Sequence, residues 1–157
     1  MPSATFRRAV TVGALTTAVT LSLIPQATAD AGDEDVVRMK LAGVTKADSR
    51  DRHIAPGDSW TTYLNLYTPK HKFAGDASSR CTAVEADRKR LTALCTRVLR
   101  LKKGEITLHD MITREGDKPV TAKTSIAGGT GVYNDAEGEG YITLVGDRVL
   151  FDLYVDD

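Results

Sequence analysis

The sequence predicts an all-β domain that closes into an eight-stranded antiparallel barrel. Three observations support this fold class: runs of β-branched and aromatic residues recur at short intervals, most connections between them have hairpin length, and no long helical period occurs. Eight antiparallel strands in sequence order leave two exposed edges unless the first and last strands pair. We therefore expect a closed or nearly closed barrel, whose lumen is either filled by side chains or holds one small ligand.

The first 29 residues stand apart from this domain. They combine Arg7 and Arg8, an apolar stretch over 9–24 and a small-residue ending, Ala-Thr-Ala, over 27–29. This pattern predicts a secretory signal peptide, cleaved before Asp30, that leaves one β-barrel domain over 30–157 and a secreted protein. The arginine pair also fits the twin-arginine route, but the residues that follow it favour general secretion.

The eight predicted strands follow residues 30–35, which we expect to be loose. Turn-forming residues such as Gly, Pro, Asp and Asn separate most of the runs. The two longer connections, 45–57 and 69–78, contain no helix long enough for a parallel crossover. The strands are expected at about 36–44, 58–68, 79–86, 90–101, 104–112, 121–129, 138–145 and 148–156.

The composition argues against nucleic acid and membrane insertion. The 157 residues include 21 Lys+Arg and 21 Asp+Glu, so the formal net charge is zero. We therefore do not expect nucleic-acid binding, which usually requires an excess of positive charge. Without residues 1–29, 19 basic residues face 21 acidic ones. The basic run 88–90 is interpreted as a solvated turn, with a binding patch for anions or cell-surface polymer as the alternative. The apolar stretch is short and weak for a membrane anchor, so we expect no stable membrane insertion.

The two cysteines fit a hairpin register. A turn centred on Arg88 places Cys81 opposite Cys95, and also places Glu85 opposite Leu91. Cross-strand partners lie close enough for a sulfur–sulfur bond, and a secreted chain with an even cysteine count favours one. We expect a Cys81–Cys95 disulfide. Two buried free thiols, or one reactive thiol in the lumen, are the alternatives.

A glycine-rich stretch covers residues 126–140. It lacks the Lys-Ser/Thr pair or following helix of a phosphate-binding loop, so a nucleotide is not expected. The structural interpretation is that its glycines allow a sharp reversal and a close backbone approach at the barrel wall. The glycines concerned are Gly128, Gly129, Gly131 and Gly138.

These residues resemble the allene oxide cyclase-like and dirigent-like barrels. The similarity rests on the Gly-Gly-Thr-Gly-Val-Tyr segment over 128–133 and Ala-Glu-Gly-Glu over 136–139, with upstream support from 81–84, 95–96 and 104–108. It covers about residues 58–145. The main departure is Glu137, where that family usually has Arg.

The resemblance implies an eight-stranded barrel, often trimeric, with a mostly apolar cavity that holds a reactive molecule in one conformation. Its plant cyclases line the site with a Glu and an Asn from the first strand and a Cys from a later one. Cys81 is the matching position here, whereas the first strand, 37–42, has no Glu or Asn. We therefore do not transfer the plant reaction.

Several polar residues are candidates for catalysis beside Cys81. Tyr63 and Asn65 share one face of the second strand, opposite a face with Trp60, Thr62, Leu64 and Leu66; the residues alone do not decide which face is interior. Glu85 lies on the same predicted strand face as the cysteine. Asp110 lies on the same predicted strand face as Ile106, Leu108 and Ile112. A carboxylate among apolar neighbours can act as acid or base, although such residues also reach solvent at strand ends.

Two functional hypotheses follow. The first is a secreted, cofactor-independent cyclase, isomerase or dirigent-type protein acting on a lipid-like, polyketide or phenolic molecule. The second is a secreted barrel that binds an apolar ligand without catalysis or has a structural role. The three histidines are scattered and no Gly-x-Ser-x-Gly elbow occurs, so neither a metal site nor a serine hydrolase is expected.

Overall fold

The computed structural model describes residues 36–156. The predicted signal peptide, residues 30–35 and Asp157 lie outside the described residues. The chain forms eight strands over this range: β1 (Val36–Asp48), β2 (Ser59–Tyr67), β3 (Phe73–Ala86), β4 (Arg90–Leu101), β5 (Gly104–Glu115), β6 (Val120–Gly129), β7 (Glu137–Val145) and β8 (Arg148–Asp156).

The strands form a closed antiparallel barrel in sequence order, which confirms the predicted fold class. Each strand pairs with its neighbours in the chain, and β1 pairs with β8 from Val36↔Asp156 to Val44↔Arg148. Closure pairs the backbone groups of both potential edge strands. Within residues 36–156 the helical structure is one 3₁₀ turn at Gly131–Tyr133.

The structure corrects three predicted boundaries: β1 ends at Asp48 and not near residue 44, β5 ends at Glu115 and not near 112, and β3 begins at Phe73 and not near 79. The segment 73–78 is rich in small and polar residues, which have weak β propensity and read as a connection. Pairing on both sides imposes the strand: Gly75 lies between Leu66 of β2 and Leu101 of β4. A Cβ at Gly75 would lie 2.1 Å from the Arg100 carbonyl oxygen, so only glycine allows this close approach.

Half of the lumen is filled by a close-packed aliphatic core. Inward-facing side chains alternate with outward-facing ones along each strand, and the core members are fully buried. The largest of these side chains are Phe151, Leu64, Leu66, Leu99, Ile106, Leu108, Ile142, Leu153 and Val155. We call this region, towards the β4–β5 turn, the packed half.

The glycine-rich stretch lies at the packed end of the barrel, against the β4–β5 turn. Gly131 has a φ of 67°, and a Cβ there would meet the Lys103 carbonyl oxygen at 2.3 Å. The Thr130 amide donates to the Glu105 carbonyl at 2.9 Å, and the Glu105 amide donates to the Thr130 hydroxyl at 3.0 Å. The stretch therefore joins the β6–β7 connection to the β4–β5 turn through backbone contacts that larger residues would prevent.

Candidate functional site

The other half of the lumen contains a cavity of about 80 Å³. We call this region, towards the β1–β2, β3–β4, β5–β6 and β7–β8 connections, the open half. Trp60 and the disulfide form part of the cavity wall, together with the hydroxyl-bearing residues Thr45, Thr62 and Ser79. The cavity therefore combines an aromatic surface with several groups that can donate or accept hydrogen bonds.

The Cys81–Cys95 disulfide is present, as predicted from the hairpin register. The two residues are direct partners across β3 and β4, with Cα atoms 4.1 Å apart. Both are buried, so the bond is part of the cavity wall and not a surface crosslink. In this state Cys81 has no thiol, and the alternative of a reactive lumenal thiol does not apply to it.

A buried ion pair lies at the cavity. Asp110 on β5 is opposite Cys95 on β4, and Arg97 lies two residues further along β4 on the same inward face. The Arg97 Nε and Nη2 donate to the two Asp110 oxygens at 2.6 and 3.1 Å, in a bidentate arrangement. Their side chains are 5% and 0% exposed. Arg97 also lines the cavity, so a fixed guanidinium is available to a bound molecule.

Three further arginines surround the cavity nearer its mouth. Arg50 lies 3.7 Å from the Asp48 carboxylate, and its backbone amide donates to the same carboxylate at 2.9 Å. Arg114 follows the inward alternation of β5, and Arg148 begins β8. The open half is consequently lined by cations, in contrast to the packed half.

Two of the predicted site residues, Tyr63 and Asn65, do not face the lumen. Their neighbours Leu64 and Leu66 take the inward positions of β2, which places Tyr63 and Asn65 on the outer wall. There the Tyr63 hydroxyl donates to Asp76 at 2.9 Å, and that hydrogen bond raises the tyrosine pKa. Burial of the leucines decides the face, because apolar burial outweighs any preference of the polar residues.

Glu85 is also displaced from the lumen, because the strand register changes next to it. Cys81 pairs with Cys95 as predicted and Ala83 pairs with Ala93, but a bulge between Ala83 and Glu85 places Glu85 opposite Thr92 and not opposite Leu91. The extra residue reverses the alternation, so Glu85 leaves the cysteine face. Its carboxylate accepts a hydrogen bond from the Thr92 hydroxyl at 3.2 Å and lies 3.6 Å from Arg90.

Of the predicted polar candidates, Asp110 and disulfide-bonded Cys81 lie in the lumen. The prediction missed Arg97 and Arg114. Arg97 lies two residues after Cys95 and Arg114 lies four residues after Asp110, so each shares a strand face with a residue that the prediction named. That shared parity was the available signal. No group of three or more His, Cys, Asp or Glu suited to a metal ion occurs within residues 36–156. The same range contains no helix long and apolar enough to cross a bilayer.

Comparison with solved structures finds the same barrel fold in other proteins. A pyocyanin demethylase superposes with a TM-score of 0.63 at 21% identity, over 76% of this chain and 99% of that one. An exo-specific intermolecular Diels–Alderase gives 0.54 at 12% identity, over 76% and 98% of the two chains. A nonspecific heme-binding cyclase of [4 + 2] cycloaddition gives 0.53 at 13% identity, over 77% and 63%.

The chain shares the eight-stranded barrel fold of these proteins. No family model matches it, and no curated protein sequence does. None of the three structures is named as an allene oxide cyclase or a dirigent protein. That finer relationship stays a prediction.

Proposed function

We propose that the chain is a cyclase-like small-molecule barrel, which receives an organic molecule in its open half and promotes its cyclisation or isomerisation without a cofactor. The observation that carries the proposal is the buried Arg97 at the cavity, held by Asp110. A barrel with a purely structural role gains nothing from a charged pair in its lumen, since aliphatic residues of similar volume serve stability as well or better.

Arg97 is the residue to which we assign the chemistry. Asp110 engages its Nε and Nη2, so Nη1 is the nitrogen that the ion pair does not use. A guanidinium N–H aimed at a carbonyl oxygen stabilises the negative charge that develops there during a cycloaddition or double-bond shift. An intramolecular cycloaddition or a double-bond shift rearranges the bonds of one molecule and needs no oxidant, whereas an oxidative coupling does. Asp110 is then a positioning residue, because both its oxygens accept from Arg97.

The cavity wall would contribute by restricting the conformation of the substrate. Trp60 offers a flat apolar surface, and Ser79 and Thr62 offer hydroxyl groups on neighbouring strands. Holding a flexible molecule close to its reactive geometry removes part of the entropic barrier to ring closure. The packed half would set how deeply the molecule can enter.

Isomer formation tests the proposal directly. The purified protein is incubated with a metabolite extract of the producing organism, and the mixture is followed by liquid chromatography and mass spectrometry. We expect one component to decline while a product of identical mass appears. The double variant Arg97→Met/Asp110→Leu, which replaces the pair with apolar groups, should abolish this conversion and keep the fold. Conversion at the normal rate by that variant would contradict the role of Arg97.

A non-catalytic binding barrel is the second candidate. The cavity of about 80 Å³ is small beside the roughly 300–1,000 Å³ of typical ligand pockets, so it favours a small ligand or a mainly structural role over the conversion of a large substrate. Native mass spectrometry of freshly purified protein distinguishes the two candidates. A retained molecule that is released unchanged, without any isomer formation in the extract, would support binding alone.

We further propose that the protein is secreted after cleavage before Asp30, and that it assembles as a trimer. The buried disulfide supports an oxidising compartment. On the outer wall, Leu94 and Met111 are cross-strand partners and both are more than half exposed, which supports self-association. Intact mass of the protein from culture medium tests the cleavage site. Light scattering tests the trimer, and the mass of one mature chain would contradict it.

A further inference from the structure

The arginines around the cavity are unequal in their partners. Four arginines line it, and two of them have a carboxylate within 4 Å: Arg97 has Asp110 and Arg50 has Asp48. Arg148 is exposed at the rim, where water and salt screen its charge. The remaining one, Arg114, combines partial burial with the lack of an ion pair among the described residues.

Arg114 has a buried donor that no described residue satisfies. Its Nε is fully shielded from solvent and makes no hydrogen bond with residues 36–156. Burial lowers the pKa of Arg114, and the nearby positive charge of Arg50 lowers it further, against the opposing effects of Asp117 and Asp48. Leaving a charged donor buried without an acceptor is costly, and native proteins rarely do so without a functional reason.

A purely structural role does not explain this arrangement. Arg114 pairs across the sheet with Leu91, which is apolar and offers no side-chain acceptor. A leucine or methionine at position 114 would cover the same surface without the desolvation cost. Arg114 therefore presents a guanidinium on the cavity wall that has no carboxylate partner among the described residues, and an acceptor that enters the cavity with the ligand would supply one.

We propose that Arg114 binds a carboxylate of the small molecule that occupies the open half. This inference rests on the proposed function, because it names a chemical class for the same ligand. The two Nη nitrogens of Arg114 are not shielded as its Nε is, and together they form a planar pair of donors that matches the two oxygens of a carboxylate. One unpaired, partly buried guanidinium favours a monoanion over a phosphate dianion, since Arg50 and Arg97 already have carboxylate partners.

The rest of the cavity indicates the other end of the ligand. Ile112 precedes Arg114 by one inward position, and Ala93 lies opposite Ile112 on β4. This surface is apolar and lies deeper than Arg114, towards Arg97. The ligand is thus an amphipathic monocarboxylate, with its acid near the mouth and its apolar body directed inward.

Trp60 provides a direct measurement, because it is the one tryptophan of the chain and lies on the cavity wall. Its fluorescence is followed during titration of the purified protein with benzoate and hexanoate. Benzamide and hexanol are the matched neutral probes, and inorganic phosphate is the third anion. We expect the carboxylates to bind at least tenfold more tightly than their neutral counterparts.

The decisive variant is Arg114→Met, which keeps an apolar stem and removes the charge. We expect its Kd for benzoate and hexanoate to rise about ten- to a hundredfold, while its binding of benzamide is unchanged. Arg114→Lys keeps the charge but loses the planar pair of donors, so its Kd for the carboxylates should lie between that of the wild type and that of Arg114→Met. The control is Arg100→Met, which removes a guanidinium from the outer wall and should leave every Kd unchanged.

Thermal unfolding separates a binding role from a structural one. Because Arg114 is desolvated without a partner, Arg114→Met should unfold at the same temperature as the wild type or higher. Equal binding of neutral and anionic probes, unaffected by Arg114→Met, would overturn the carboxylate site and leave the proposed function standing. Tighter binding of phosphate than of either carboxylate would also overturn it. No response to any probe would count against both proposals.

Discussion

The two halves of the lumen are built from the same alternating strands but differ in what their side chains do. In the packed half, the largest buried side chains are those of leucine, isoleucine, valine and phenylalanine. In the open half, a disulfide, a buried ion pair and several hydroxyl groups surround a cavity. Under the proposed function the two halves have separate roles: the packed half supplies the core, and the open half would keep its buried charge for a bound molecule.

The largest effect is expected when the buried pair is broken. Asp110→Ala leaves the Arg97 charge without a partner in a water-poor lumen, and should lower the free energy of unfolding by about 3–5 kcal/mol. Urea denaturation measures this loss. The matched control is Asp76→Ala, which breaks a bidentate pair with Arg100 on the outer wall and should cost much less. Equal losses would show that Arg97 reaches water through the cavity.

A cavity created in the packed half should affect stability and not binding. Leu153 is completely buried, so Leu153→Ala is expected to cost about 2–5 kcal/mol. Ser79→Ala, its counterpart in the open half, should change stability by less than about 1 kcal/mol and alter the affinity for a retained ligand. Urea denaturation and native mass spectrometry measure the two properties. If Leu153→Ala lost the ligand while the variant was still fully folded, the division into halves would be contradicted.

Removal of the disulfide should loosen the open half selectively. The bond joins residues 14 positions apart, and chain entropy assigns such a crosslink about 3 kcal/mol. In Cys81→Ala/Cys95→Ala we expect faster hydrogen exchange in β3 and β4 near the cavity. The strand ends in the packed half should exchange as before. A uniform increase around the barrel would mean that the two halves unfold as one unit.

The smallest expected effect is on the stability of the fold at acid pH, through Asp76 on the outer wall. Hydrogen bonds from Arg100 hold the pKa of Asp76 below its ordinary value of 3.8. A carboxyl with a lowered folded-state pKa stabilises the fold above its unfolded pKa, and this contribution disappears as the pH falls through the folded value. Asp76→Asn should therefore lose slightly less stability than the wild type below about pH 4. Thermal melts from pH 6 to pH 2 measure the difference, and parallel curves would contradict it.

The sequence predicted the closed barrel and the disulfide, and it named Asp110, which the barrel buries, among the catalytic candidates. These predictions depend on periodicity and pairing, which act over a few residues. The face of Tyr63 and Asn65 required knowledge of which leucines the whole barrel buries. The predicted position of Glu85 was wrong for a local reason. A bulge adds one residue to β3 and exchanges its inward and outward faces, and no residue type in the hairpin predicts that bulge.

Arg97 and Arg114 were missed because charged residues are expected at the surface. Their inward position follows from the parity of Cys95 and Asp110, but parity alone does not overcome the usual cost of burying a guanidinium. The exception is explained by partners: Asp110 for Arg97, and the proposed ligand for Arg114. Buried charge is thus the feature of this site that local patterns predict least well.

The seam between β1 and β8 determines when the barrel can be completed. It joins residues as distant as Arg38 and Asp152, which are 114 positions apart and form a bidentate ion pair across it. The consecutive hairpins can each form locally, whereas this pairing requires both ends of the domain to meet. Folding should therefore be limited by the search for that last contact, on the millisecond-to-second timescale of other β topologies rich in distant pairings. Until the seam forms, β1 and β8 remain open edges, and the newly made chain is at its most vulnerable to association with its own copies.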